Sequence, residues 1–251
     1  MKKIWIIGAS SGIGFELLKL WLKQDYLIIA SSTSIESNPK ALELLEENRT
    51  KLTLVNIDVT CENSISKAFS ENEDFLNSVN TFFYNAGVYE ISNSHNIQIN
   101  DYEKMINVNY LGFVRILSNA LPYLRKDNYT KRVVVNGSLA SFFGLPNAGA
   151  YGASKAALLS FAQSMQPELI KQNIQLQIIN HGFVKTRLTA KNQFSMPQVM
   201  DSKIAAIIIN KKVASPYTFE IKFPFILSNF LQLLSLLPYK LSLAITKKML
   251  N

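Results

Sequence analysis

Along most of the 251-residue chain, short apolar runs alternate with longer stretches in which apolar positions recur every three to four residues. The runs at 3–7, 26–30, 51–57, 81–84, 132–136, 175–180 and 217–222 predict seven strands. Several are apolar at consecutive positions, as in Ile4-Trp5-Ile6-Ile7 and Val133-Val134-Val135, the pattern of strands covered on both faces. The stretches 13–23, 40–47, 64–76, 102–125, 153–171 and 201–210 predict helices. Strand and helix in turn build crossover units, so the expected fold is α/β, a doubly wound parallel sheet with helices on both faces. No repeat, low-complexity tract or linker appears before residue 222, and one domain over 1–251 is expected.

The end of the chain breaks this pattern. Residues 223–239 carry no charge, are dominated by Phe and Leu, and are interrupted by Pro224 and Pro238. At seventeen residues the stretch falls short of a spanning helix, and an apolar helical tail over 223–251 is the expectation. From Asp201 onward seven lysines stand against two acids, a net of +5. Three roles fit such a tail: packing on the core or a sister subunit, gating an apolar substrate, or weak contact with a membrane surface.

With hydrophobic residues at 48% and charged residues at 18%, a disordered chain is excluded. The net charge of +8 suits nucleic acid, an anionic membrane or an anionic cofactor. The basic residues are scattered as singles and doublets such as Lys211-Lys212, where a groove reader clusters them, so no nucleic-acid partner is expected. Cys61 is the only cysteine, which leaves no intramolecular disulfide and suits a reducing, cytoplasmic setting. Lys2-Lys3 and the apolar run after them imitate a signal peptide, but the run stops at Gly8 and reads as a first buried strand. His95 falls in a polar stretch at 92–96 that reads as a solvated loop, and no cluster has metal-ligand spacing, so no metal is expected.

Gly8-Ala9-Ser10-Ser11-Gly12-Ile13-Gly14 follows the first predicted strand and opens the first predicted helix. Glycines there let the chain turn tightly and its backbone approach a pyrophosphate facing the helix N-terminus. A tight turn needing small residues for its own sake would read the same way. At the end of the second strand, where an acid would bind the ribose 2′-hydroxyl of NAD, stand Ser31-Ser32-Thr33-Ser34, with no acid before Glu36. Hydroxyls such as that of Ser32 can donate to a 2′-phosphate that a carboxylate would repel, which favours NADP(H) over NAD(H). Four small polar residues also make an ordinary loop.

Tyr151 and Lys155 form the only Tyr-x-x-x-Lys in the chain, and on a helix they share a face. A free phenol is a poor base at neutral pH, and an ammonium within a few ångströms favours its phenolate. Ser138 ends the fifth predicted strand, where a hydroxyl faces the crevice in which parallel sheets bind ligands.

Taken in order, Gly8-Ala-Ser-Ser-Gly-Ile-Gly14, Asp58-Val59-Thr60, Asn85-Ala86-Gly87, Asn109-Tyr-Leu-Gly112, Ser138, Tyr151-Gly-Ala-Ser-Lys155 and Gly182-Phe-Val-Lys-Thr186 resemble the motifs of the short-chain dehydrogenase/reductase family along nearly the whole chain. The resemblance implies a Rossmann-like sheet and an oxidoreductase that moves hydride between nicotinamide and a carbonyl or alcohol carbon. It implies Tyr151 as proton donor or acceptor, Lys155 as the cation that lowers the phenol pKa and binds the nicotinamide ribose, and Ser138 as the group orienting the carbonyl. Asn109 would hold a water linking Lys155 to solvent. Asp58 and Val59 would border the adenine, Asn85, Ala86 and Gly87 would line the central cleft, and Val184 and Thr186 would contact the carboxamide. Gly8, Ser10, Ser11, Gly12, Ile13 and Gly14 would cradle the phosphates. A homodimer or homotetramer is also implied.

The chain departs from the family pattern in three places: His181 stands where Pro is usual before Gly182, Tyr84 where a second Asn often precedes Asn85, and Asn136-Gly137 ahead of Ser138. The loop 183–200, which in the family folds over the nicotinamide, contains Phe194, Met196, Pro197, Val199 and Met200 and suits a small apolar ketone, aldehyde or alcohol. The competing readings are a non-catalytic NADP(H)-binding regulator and a membrane-peripheral protein that keeps the fold.

Overall fold

The computed structural model describes residues 1–95, 97–126 and 129–250, and all seven expected strands are present. The strands are β1 (Lys2–Ile7), β2 (Tyr26–Ser32), β3 (Leu52–Asn56), β4 (Thr81–Tyr84), β5 (Lys131–Asn136), β6 (Ile174–His181), a short pair β7 (Val184–Lys185) and β8 (Met200–Asp201), and β9 (Glu220–Phe223). The helices are α1 (Gly12–Leu22), α2 (Pro39–Glu47), α3 (Glu62–Ser70), α4 (Glu73–Leu76), α5 (Ile99–Ile106), α6 (Gly112–Leu124), α7 (Gly149–Ile170), α8 (Ser202–Ala214), α9 (Phe225–Leu236) and α10 (Tyr239–Lys247).

The main sheet is parallel throughout, in the order β3-β2-β1-β4-β5-β6-β9. From β1 the chain builds outward through β2 and β3, then returns to place β4 on the other side of β1. That reversal opens a crevice at the carboxyl ends of β1 and β4, the usual ligand position in such sheets.

Consecutive apolar residues in β1 serve two cores. Trp5 and Ile7 point to the side covered by α3 and α6, where they meet Phe69, Phe82 and Phe113. Ile4 and Ile6 point to the side covered by α1 and α8, among Leu17, Trp21 and Ile209. The Trp5 ring stacks on Phe69 and Phe82 at 5.0 and 5.9 Å. Burying an aromatic side chain of this kind contributes roughly 2–3 kcal/mol.

Several boundaries differ from the expectation. The stretch 64–76 is two helices, because the Asn72 amide turns back to donate to the Ala68 carbonyl at 2.9 Å and competes with the backbone there. The stretch 102–125 is helical, but Asn107–Leu111 forms a widened π turn between α5 and α6. The last strand begins at Glu220 rather than 217, since the Thr218 carbonyl accepts from the Gln177 side chain at 2.8 Å. In the polar stretch 92–96, His95 is exposed, but Ser92 is buried and its hydroxyl accepts from Ala150 N at 2.9 Å at the start of α7. Asn96 of that stretch and Asn251 of the tail lie outside the described residues.

The tail is helical as expected. Leu231 and Leu234 of α9 pack on Leu139, with Phe142, Phe143 and Leu227 around them. Among the described residues no helix is long and apolar enough to cross a membrane.

Candidate active site

Three sheet edges converge on the crevice. After β1 the chain enters the glycine turn with Gly8 at φ +92° and Gly12 at φ +59°, conformations that side chains rarely adopt. A Cβ on Gly8 would lie 2.4 Å from Ala86 N, so the turn is pressed against the backbone that follows β4. The Gly8 and Ala9 amides donate to the Ser31 carbonyl at 2.7 and 3.0 Å. Thr186 closes the turn from above, its Cγ2 being 3.1 Å from where a Cβ on Gly12 would stand.

Asn85 binds the turn to the rest of the site. Its Nδ2 donates to the Gly8 carbonyl at 2.7 Å, and its Oδ1 accepts from Asn136 Nδ2 at 2.8 Å. The Asn136 carbonyl in turn accepts from Lys155 Nζ at 2.8 Å. Four residues drawn from four separate stretches therefore form one hydrogen-bonded thread from glycine turn to lysine. Asn136 Oδ1 is buried with no protein partner, and it lies in the same crevice as the turn and the lysine.

Tyr151 and Lys155 project from the first turns of α7. The Ser138 side chain lies close enough to the Tyr151 phenol to favour its charged form, and Ser138 is itself fixed by its amide donating to Asn180 Oδ1 at 3.1 Å. Lys155 Nζ lies 5.8 Å from the Tyr151 ring centre. Gly87 is beside both Lys155 and Asn109: a Cβ there would meet Asn109 Oδ1 at 3.4 Å and Lys155 Nζ at 3.9 Å.

Burial governs the charges. It pushes the Tyr151 phenol up to about 12, against the downward pull of the Ser138 hydrogen bond, and pushes the Lys155 ammonium down to about 8. Desolvation is the larger effect on the phenol, penalising the phenolate more than the Ser138 side chain favours it. His181 is also driven down, to about 4, mainly by burial, and is neutral at pH 7. Its Nδ1 contacts the Gly182 carbonyl at 2.7 Å.

The remaining expected positions are placed as follows. Asn109 is fully buried in the π turn, and its amide is taken up by Val88 N and O and by Ser154 Oγ. The Tyr84 hydroxyl donates to the Val108 carbonyl in the same widened turn. Val59, Val184 and Ile13 bury their side chains in the two cores, so only their backbones can face a dinucleotide. The Asp58 carboxylate is occupied by Thr60, accepting from its amide at 2.8 Å and its hydroxyl at 2.7 Å. At the end of β2, Ser31 is buried and accepts from the Trp5 indole at 2.8 Å, Ser32 is half-buried with its hydroxyl accepting from Ser34 N at 3.4 Å, and Thr33 and Ser34 are exposed. The Glu36 carboxylate is held by Asn56 at 2.9 and 3.0 Å. Ser10 and Ser11 remain partly or wholly exposed at the turn.

Sequence reasoning misses one wall of the site. The Tyr89 ring stands edge-on to Tyr151 at 5.1 Å, and its hydroxyl donates to Asn192 Oδ1 in the loop between β7 and β8 at 2.8 Å. Lys191 adds an ion pair to Glu90 at 2.6 Å. The available signal was an aromatic residue two positions after Asn85-Ala86-Gly87.

A family model described as short chain dehydrogenase matches residues 2–196. Among curated relatives, an uncharacterized oxidoreductase of Schizosaccharomyces pombe is 28% identical over 196 residues, covering 77% of this chain and 65% of that protein. One of Myxococcus xanthus is 28% identical over 93% of this chain and 91% of its own. A short chain dehydrogenase from Burkholderia cenocepacia in complex with NADP shares the fold at a TM-score of 0.80 and 19% identity, covering 94% of each chain. A short chain dehydrogenase/reductase from Burkholderia phymatum in complex with NAD does so at 0.82 and 17%, covering 92% of each.

Proposed function

The chain belongs to the short-chain dehydrogenase family, as an oxidoreductase acting on CH–OH and C=O groups with NAD(P), and from that premise we propose an NADP(H)-dependent carbonyl reductase or alcohol dehydrogenase for small apolar substrates. The observation that carries the reading is the meeting of the Ser138 side chain with the half-buried Tyr151 phenol, beside Lys155, whose Nζ lies 5.8 Å from the Tyr151 ring centre, and across from the glycine turn. Positive φ at Gly8 and Gly12, and the close approach at Gly87, fit a dinucleotide laid from the α1 N-terminus to Lys155. When bound, the nicotinamide would donate or accept the hydride.

The protein's own groups handle the proton. As negative charge grows on a carbonyl oxygen, the Ser138 and Tyr151 hydroxyls can both donate to it, contributing roughly 2–4 kcal/mol each by oxyanion-hole precedent. A phenol raised to about 12 is protonated at neutral pH and is therefore ready as the acid in the reductive direction. Lys155 would hold the ribose. Asn109 would act through the π turn, a water resting on backbone carbonyl because its amide is already engaged. Residues 1–251 are taken as one domain, and the family likeness carries a homodimer or homotetramer.

Consumption of NADPH over a panel of aldehydes, ketones and quinones tests the reading. Firm NADPH binding without turnover of any panel member would turn it toward a non-catalytic regulator. Two further results are expected. Lys155 keeps its charge below about 8 and loses it above, so kcat/KM for reduction should fall as pH rises through about 8, and a profile flat to pH 10 would remove the lysine from the mechanism. For the cofactor, support comes from the NADP-bound Burkholderia cenocepacia protein and from the hydroxyls at Ser32, Thr33 and Ser34 with no acid before Glu36. Ser32→Asp should then raise the KM for NADPH about tenfold or more and lower that for NADH, since a carboxylate repels a 2′-phosphate. An unchanged NADPH:NADH ratio would place cofactor choice elsewhere.

A further inference from the structure

The outward face of α9 is apolar along its whole length. Phe225, Ile226, Phe230, Leu233 and Leu236 are all exposed, the last at 81%, while the inward face is spent on Leu139 through Leu231 and Leu234. On a helical wheel these five span a single wide stripe with Asn229 the one polar residue among them. A helix apolar on both faces needs a second cover beyond its own core.

The charge around it selects the cover. Residues 221–251 contain four lysines and no acid. Lys222 turns inward to Asn229 and Gln232, whereas Lys240, Lys247 and Lys248 are exposed. On α10 the buried positions are Ser242 and Thr246, so Lys240 and Lys247 occupy the middle of the outer face, flanked by Leu241 and Leu243. A second copy of this chain would bring the same lysines to the contact and be repelled. A bilayer with anionic headgroups offers both an apolar layer and the opposite charge.

We propose that α9 docks this protein flat on an anionic lipid surface, its apolar stripe in the headgroup boundary and the α10 lysines at the phosphates. At twelve residues α9 is too short to span, so it lies in the interface plane. The docking helix rests directly on the segment that follows Ser138, and its Leu227 amide donates to Gln198 Oε1 of the β7–β8 loop at 2.9 Å. A membrane-dissolved alcohol or ketone would thus meet the cleft from the lipid side. That corollary rests on the proposed chemistry; the docking does not.

Co-sedimentation of the full chain with vesicles tests it. Vesicles of equal parts phosphatidylcholine and phosphatidylglycerol should bind the protein, and phosphatidylcholine alone should bind it at least tenfold more weakly. Replacing Lys240, Lys247 and Lys248 by Gln should weaken binding by about fivefold for each lysine near the surface. Leu233→Ser with Leu236→Ser should cut it at least tenfold; both positions are exposed, so folding is spared and circular dichroism would verify that. Tyr151→Phe should bind vesicles like the parent, which separates failure of the docking from failure of the chemistry. Absence of binding to anionic vesicles, or indifference to the double Ser variant, overturns the proposal. So does a dimer in sedimentation equilibrium that the double Ser variant turns into monomer, because the face would then belong to a second copy.

Discussion

Tyr151→Phe should lower kcat for carbonyl reduction by roughly 10²–10⁴-fold, the range supplied by a positioned proton donor, while NADPH affinity stays within about threefold by the same reasoning that binding and proton transfer use different atoms. The substitution removes one oxygen and keeps the ring, so the edge-on contact with Tyr89 at 5.1 Å and the packing of α7 persist. What is lost is the donor proposed for the developing oxyanion. Absorbance decay of NADPH with any carbonyl the panel turns over reports kcat, and quenching of cofactor fluorescence reports binding. Activity retained within tenfold would mean that another group delivers the proton, and the assignment of Tyr151 would be wrong.

Gly8→Ala should damage both stability and cofactor binding. Its Cβ would meet Ala86 N at 2.4 Å and Ala86 Cα at 2.7 Å, both backbone atoms, at φ +92°. Neither atom can swing away as a side chain would, so relief requires β1 and β4 to part at their carboxyl ends. Overpacking of this kind costs about 1–3 kcal/mol, with the positive φ adding to it, or a drop in Tm of roughly 5–15 °C for a chain this long. Binding of NADPH should weaken by two orders of magnitude or more, about 3 kcal/mol. Gly12→Ala provides the contrast: its Cβ meets only Thr186 Cγ2, at 3.1 Å, a side-chain methyl that can yield. It should bind cofactor less well with a Tm much closer to the parent. Equal Tm values for both variants would show that the approach of Gly8 to Ala86 does not govern the turn.

The parts of the molecule written in short-range pattern were legible before any coordinates. Val133-Val134-Val135 could only be a strand covered twice, and Val134 and Val135 are both wholly buried. The motif residues sit immediately after strands, so a parallel sheet had to gather Gly8, Asn85 and Ser138 at one edge. What stayed hidden depends on residues distant in the chain. Asn192 lies 103 residues from Tyr89, and neither has a spacing that announces the other. The two-residue pair β7 and β8 is too short to show an alternation. The break at Asn72 depends on a side chain choosing a backbone carbonyl over water, which periodicity does not record. The partner of Lys155 stayed hidden for a related reason: proximity in sequence predicts a shared helix face, not that its ammonium donates to the Asn136 carbonyl.

The thread from Gly8 through Asn85 and Asn136 to Lys155 is made of carboxamides and peptide groups up to its final link. None of these titrates in water, so acid or alkali short of denaturation leaves their bonding intact. Only the terminal ammonium responds to proton concentration. The distance between glycine turn and lysine is thus held by groups blind to pH, and the thread responds to acid or alkali only at its lysine end.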